Sequence, residues 1–327
     1  MSKRWLEVLF VFFLGVMLPA MILATFNENE KNEFSESTVI DVEQTVLQQT
    51  QATQPQQEVE ISVLMDDESV QNMELEKYII GVVLQEMPAE FELEALKAQA
   101  VVARTYTMRR QESGYKHQTA SVCTDPSCCQ GYCSEEQYIL RGGTQVEIDK
   151  IIQAVVATKG QVLTYNEKLI DATYFSCSGG VTEDAAAVWG ADVPYLQSIE
   201  SPGEEAATHY TDTVSYTTEK LSQLLGVSLQ GMQKDLVSSI TYTNGGGVDK
   251  IKIGGKEFTG TQLRKLLNLH STAFSISVIG NIVTITTHGY GHRVGMSQYG
   301  ADAMAVNGSS YAEILAHYYQ GTSLSGY

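Results

Sequence analysis

A run of 19 residues without a charge, Val8 to Phe26, divides this chain before any of it can fold. Spanning a bilayer core takes ~20 apolar residues, whereas the apolar core of a cleaved signal sequence has only ~7–15. The run is therefore read as an uncleaved anchor over 5–26, behind a cytoplasmic stub at 1–4. Lys3 and Arg4 precede it, and Asn27, Glu28, Asn29 and Glu30 follow. That asymmetry predicts a single-pass membrane protein with everything beyond Phe26 outside the cytoplasm. A signal peptide cut after Ala24 is the rival, with Leu23 and Ala24 as a poor small-residue site. Both export the rest of the chain.

From 27 to 60 the composition turns to Glu, Gln, Asn, Ser and Thr. So few large apolar residues cannot offset chain entropy by burial, and the segment is expected to be a disordered tether. It holds eight acids against one base, Lys31, which puts -7 of the chain's net charge of -18 outside any folded region. No basic block exists to neutralise phosphates, so nucleic acid is excluded as a partner.

The remaining residues, 61–327, are expected to form an α+β fold with a helical core packed on β-structure. Ile61, Val63 and Met65 alternate as a strand does. Leu75, Ile79, Val82 and Val83 follow at helical spacing, and Pro88 biases Met87 out of helix, so that helix stops near Glu86. A carboxylate at a helix C-terminus meets partial negative charge, which favours its protonated form and suits general-acid chemistry. The bland alternative is a solvated helix-end Glu. A second helix, about 92 to 110, carries Leu93, Leu96, Ala100 and Ala103 on one face, and Lys97 and Arg104 on a polar side.

Four of the five cysteines fall between 123 and 133, after His117 and among turn residues Asp125, Pro126 and Gly131. One His and several Cys in a loop can close on a tetrahedral zinc; disulfides are the rival. Cys177 stands apart. Residues 288–301 read HGYGHRVGMSQYGA, whose four glycines rule out an ordinary helix or strand interior and bring backbone close to another group. His292, Ser297 and Gln298 supply hydrogen-bonding groups there. A serine hydrolase is a weak reading, because neither Ser297 nor Ser178 sits in a Gly-x-Ser-x-Gly elbow.

Four stretches together carry a resemblance: VLQEMPAEFELEALKAQAVVARTYTMRR (83–110), the His117 and Cys loop, ATYFSCSGGVTEDAAAVWG (172–190) and GYGHRVGMSQYGA (289–301). In this order, over roughly 61–327, they resemble the stage II sporulation protein D family of peptidoglycan lytic transglycosylases. The resemblance implies sporulation, cleavage of septal cell wall during engulfment of the forespore, and a location in the membrane facing the intermembrane space. It also implies two partners, the amidase stage II sporulation protein P and the membrane protein stage II sporulation protein M. Carried over residue by residue, the catalytic acid falls on Glu86 and its supporting basic positions on Lys97 and Arg104. The zinc pattern falls on His117, Cys123 and Cys129. Cys128 and Cys133 are additional thiols that compete or supply a fourth ligand. Cys177 replaces a more usual Thr. Arg293 stands where the family usually has Gly, a change expected to alter a subsite near the glycan.

One acid without a second agrees with the chemistry that the resemblance implies. Ordinary glycosidases use two carboxylates. In a lytic transglycosylase the acid protonates the glycosidic oxygen, and the sugar's own 6-hydroxyl replaces water, leaving a 1,6-anhydro-muramyl end. Tyr174, Ser178, His292 and Gln298 are candidates for holding the acid or the sugar. Between about 217 and 270, alternating strands, a Gly254-Gly255 turn and short helices suggest an inserted subdomain for glycan positioning or docking. Two other classes compete: a non-catalytic wall-binding module that enhances a partner amidase, and a zinc hydrolase whose metal activates water.

Overall fold

The computed structural model describes residues 58–114, 117–229 and 236–327. Strands β1 (Glu60–Leu64) and β2 (Val70–Glu74) form a hairpin that leads directly into α1 (Leu75–Glu86). The helix stops as expected: Pro88 follows, Met87 is extended, and its N–H closes the last turn on the Val83 carbonyl. The long helix α2 (Leu93–Glu112) departs from its one-faced reading. From Ala98 to Thr107 it is buried on every side, including Gln99, Arg104, Thr105 and Thr107. Alanines at 95, 98, 100 and 103 explain this, since small side chains let neighbours close in all round.

Helices α3 (Glu135–Leu140) and α4 (Gln145–Ala157) start with capping boxes at Ser134 and Thr144. Around α2 they join α1, β4 (Gln161–Tyr165), and the C-terminal α8 (Gln298–Val306) and α9 (Tyr311–Tyr318) in one hydrophobic core. Strand β3 (Val122–Cys123) pairs parallel with β1, fixing the start of the Cys loop, and β4 pairs with β5 (Lys168–Leu169) and β14 (Ser323–Gly326). The pairing of β6 (Tyr174–Phe175) with β13 (Met296–Ser297) matters most for function, because it sets the FSCSGG stretch beside the glycine-rich one. Glycine is required there: Cβ atoms at Gly289 and Gly295 would fall 2.6 Å from a Ser178 backbone atom and onto the Thr173 carbonyl.

A second hydrophobic cluster, including Leu221, Ile251, Phe258, Leu263 and Ile285, lies between two sheets of three strands. One joins β7 (Thr211–Thr217), β11 (Phe274–Ile279) and β12 (Ile282–His288); the other joins β8 (Val237–Tyr242), β9 (Val248–Ile253) and β10 (Lys256–Thr259). Gly254 and Gly255, with φ of 55° and 82°, make the tight β9–β10 turn. Helices α6 (Thr218–Leu225) and α7 (Gly260–Leu266) accompany them, and α5 (Ala185–Trp189) precedes. Residues 58–327 form one compact unit.

One expectation needs correcting. The membrane-anchored architecture, the membrane as partner and the single-pass location all rested on residues 5–26. Among the described residues no helix is long and apolar enough to cross a membrane, so what the structure describes is an α+β fold and the anchored architecture is not part of it. Residues 5–26 and most of the tether, 27–57, lie outside the described residues, and Glu60, assigned to the tether, begins β1.

Candidate functional site

Glu86 ends α1 at the floor of a cleft of about 1000 Å³. Its Oε1 accepts the Gly131 N–H at 2.5 Å, and the Gln298 amide donates to its backbone carbonyl at 3.0 Å. The Tyr174 hydroxyl hydrogen-bonds its side chain. The Gln130 side-chain oxygen, 3.4 Å from that hydroxyl, is the alternative acceptor for its single proton, so acid, β6 and Cys loop meet at Tyr174. Burial raises the Glu86 pKa above the usual 4.5, against the two hydrogen bonds that favour the carboxylate. Desolvation is thus the first cause of the shift. Glu86 is also the one acidic side chain among the described residues lining the cleft.

The walls mix aromatic and cationic groups: Tyr106, Phe175, Trp189 and Tyr290, with Arg110 and Arg264. Arg110 lies 4.8 Å from the Tyr106 ring centre and reaches Asp171 at 3.3 Å. His292 packs between Phe175 and Trp189. Burial first, and then the positive charge of Arg264, lower its pKa to about 4, so the ring is neutral at neutral pH. Its Nδ1 accepts the Val294 N–H at 3.1 Å, so the ring helps shape the glycine-rich loop as well as the wall.

Of the residues singled out in the sequence, Glu86, Tyr174, His292 and Gln298 meet in this cleft, while Lys97, Arg104 and Ser178 do not line it. Lys97 pairs with Glu94 at 2.6 Å and lies over the Tyr311 ring. Arg104 is fully buried and donates to both carboxylate oxygens of Glu76, at 2.9 and 2.6 Å. The polar side expected for α2 is therefore an internal ion pair. Ser178 turns to the buried Glu204 carboxylate, which accepts its N–H and hydroxyl at 2.7 and 2.8 Å. Cys177 joins the same carboxylate at 3.2 Å, and burial pushes its thiol up to about 12.

Arg293 does not line the cleft either. Its backbone has φ 66°, the left-handed conformation that a glycine adopts readily, which is why Gly is at home at that position. Its buried guanidinium donates to the carbonyls of Ser178, Val181 and Gly245 at 2.8, 2.6 and 2.6 Å, and lies 3.6 Å from Glu183. The expected subsite change is thus a buttress under the loops.

In the Cys loop, the ligand atoms of His117, Cys123, Cys128 and Cys129 lie within 4.8 Å of one another. His117 Nε2 stands 3.6 Å from Cys129 Sγ and 3.9 Å from Cys128 Sγ. All five cysteines are unbridged. One imidazole and three thiols fit a tetrahedral metal site, and the group can hold a metal ion. Cys133 is outside it, buried with its thiol toward the Ser134 carbonyl. Arg264 went unmarked in the sequence, Arg110, Trp189 and Tyr290 lie in the quoted stretches without being singled out, and Gly131 was read only as a turn residue, since their places in the site depend on tertiary contacts that no local pattern encodes.

Fold and cleft together define an α+β protein with one partly buried carboxyl in an aromatic-walled groove, braced by a Cys-rich loop that can hold a metal. Residues 66–165 match the family model described as stage II sporulation protein. The chain is 42% identical over 264 residues to stage II sporulation protein D of Bacillus subtilis (strain 168), covering 79% of this chain and 76% of that one. Its counterpart in Bacillus amyloliquefaciens is 43% identical over 262 residues, with 79% and 76% covered. The amidase enhancer of Bacillus subtilis (strain 168) is 30% identical over 301 residues, 76% of this chain but 40% of the enhancer. The chain belongs to the stage II sporulation protein D family.

Proposed function

We propose that this chain remodels peptidoglycan during spore formation by holding a glycan strand in the cleft above Glu86. Family membership supports the sporulation role. The aromatic walls suit the apolar faces of sugar rings, and Arg110 and Arg264 suit carboxylates on muramic acid residues. Likeness to the amidase enhancer favours one finer reading, a wall-binding module that enhances a partner amidase without cutting.

One observation favours the other finer reading, cleavage: a single partly buried carboxyl in the cleft whose proton is held more tightly than usual. Glu86 in its acid form protonates the glycosidic oxygen. The same residue, now carboxylate, takes the proton of the 6-hydroxyl as that oxygen bonds to the anomeric carbon and the old bond breaks. No water is consumed, and a 1,6-anhydro-muramyl end forms. Holding the 6-hydroxyl in place supplies the proximity advantage that a second carboxylate and its water would otherwise provide. Tyr174, Gln298 and Gly131 position the acid, and His292 helps wall the cleft.

Zinc in the His117, Cys123, Cys128 and Cys129 group is a structural tie in this reading. Four protein donors complete a tetrahedron, leaving no open position to activate water. Such a tie would brace the loop bearing Gln130 and Gly131.

Muropeptide analysis of amidase-treated sacculi incubated with the full chain tests this. Anhydro ends formed by the wild type and lost in Glu86→Gln support cleavage. Strand binding with no product, together with stimulation of an added amidase, establishes the wall-binding module instead. Neither binding nor product would overturn both.

A further inference from the structure

Outside the acid cleft and the Cys loop, His209, Asp212 and His270 form a second convergent group. Asp212 is the second residue of β7, His209 lies in the loop before it, and His270 lies in the loop after α7. The Nδ1 atoms of both rings face one carboxylate oxygen, Asp212 Oδ2, at 2.9 and 2.7 Å. The ring centres lie 4.7 Å apart at 73°, so the two imidazoles converge without stacking. Ligand atoms of the three residues lie within 4.8 Å of one another.

Each of the three side chains is a little over one-third exposed, 39%, 36% and 35%, which leaves solvent access. The group is also braced: the Gly289 N–H reaches the Tyr210 carbonyl at 2.9 Å and the Gly291 N–H the His270 carbonyl at 3.0 Å. Between those glycines, Tyr290 packs on both imidazoles at 4.9 and 4.8 Å and lines the cleft.

We propose that His209, Asp212 and His270 bind a divalent transition-metal ion, distinct in chemistry from the Cys loop and placed behind Tyr290. Two imidazoles and a carboxylate suit zinc and its neighbours, and three protein ligands leave a position open for water or substrate. With bonds of ~2.0–2.1 Å, tetrahedral coordination separates ligand atoms by roughly 3.3 Å. The ion therefore enters by spreading the present contacts by about half an ångström, small for side chains with this exposure. The occupied site fixes Tyr290, and so the rim of the cleft, to β7 and to the loop after α7.

The full chain, stripped of metal, is titrated with zinc against a chromophoric chelator and, separately, with cobalt(II). Wild type takes two equivalents. One of the two cobalt equivalents gives a near-ultraviolet thiolate charge-transfer band, and the other gives only weak visible bands. The double variant His209→Gln/His270→Gln loses the second and keeps the first, while Cys123→Ser/Cys129→Ser does the reverse. Metal-free melting curves establish that each variant is folded, and Asp212→Asn provides an independent disruption of the site. A wild-type stoichiometry of one that carries thiolate absorption overturns the proposal, leaving a hydrogen-bonded His–Asp–His network, as does a second equivalent that also shows thiolate absorption. Both decisive readings come from the wild type, so a misfolded variant does not protect the proposal.

Discussion

Glu86 is a carboxyl held between opposing effects: burial disfavours its charge, while the Gly131 N–H and the Tyr174 hydroxyl favour it. Its folded pKa lies above the unfolded one, so the folded state binds more protons above pH ~4.5 and loses stability as pH rises through the folded pKa. Glu86→Gln keeps an acceptor for Gly131 and cannot ionise. The variant is therefore expected to melt higher than wild type at pH 7–8, with the difference vanishing near pH 4, as measured by thermal denaturation across pH. Gly131→Ala is the complementary change, because its Cβ would sit 2.6 Å from Gln85 Cγ and 3.0 Å from Glu86 Oε1. On the cleavage reading proposed above, moving the acid by a fraction of an ångström to an ångström is expected to cost up to ~10²-fold in anhydro-product rate with little change in melting temperature. Arg104 gives the opposite pattern. Arg104→Ala strands a buried Glu76 and is expected to cost about 3–5 kcal/mol in urea denaturation, while strand affinity per folded molecule is unchanged.

Among the elements, the Cys loop carries the strongest link between a tie and a site. Pinned at β3, it gathers His117 from before that strand with Cys123, Cys128 and Cys129, and then presents Gln130 and Gly131 to Tyr174 and Glu86. Chelation, or Cys129→Ser, is expected to speed hydrogen exchange at the Gly131 amide well before helix α2 is affected, as read by exchange mass spectrometry. How legible each element was depends on how local its cause is. The end of α1 at Glu86 was readable because Pro88 acts on its neighbour. The α2 reading failed because its alanines suit burial on all sides, and the partner of Arg104 lies on α1, far along the sequence. The glycine-rich stretch announced a close approach without naming Thr173 and Ser178 as the backbone approached. Cys128 entered the ligand group, and Cys133 stayed out, for tertiary reasons alone.

At the scale of the whole molecule, Arg264 shows that the two hydrophobic clusters share one task. It sits on α7, whose Leu263 packs in the second cluster, yet its guanidinium lines the cleft floored by α1 of the first. Arg264→Ala is expected to weaken binding to strands bearing free carboxylates about tenfold, by co-sedimentation with sacculi, and to leave binding to neutral chitin fragments almost unchanged. The hydrogen bond from Gln298 to the Glu86 carbonyl joins residues 212 positions apart. A growing polypeptide therefore carries its acid for most of translation before the last of the groups that aim it exists. Contacts of such sequence separation close late in folding, after local helices have formed. A half-made or clipped chain would expose Glu86 without its cleft, so competence to act on a strand would appear only once the last third of the molecule has docked.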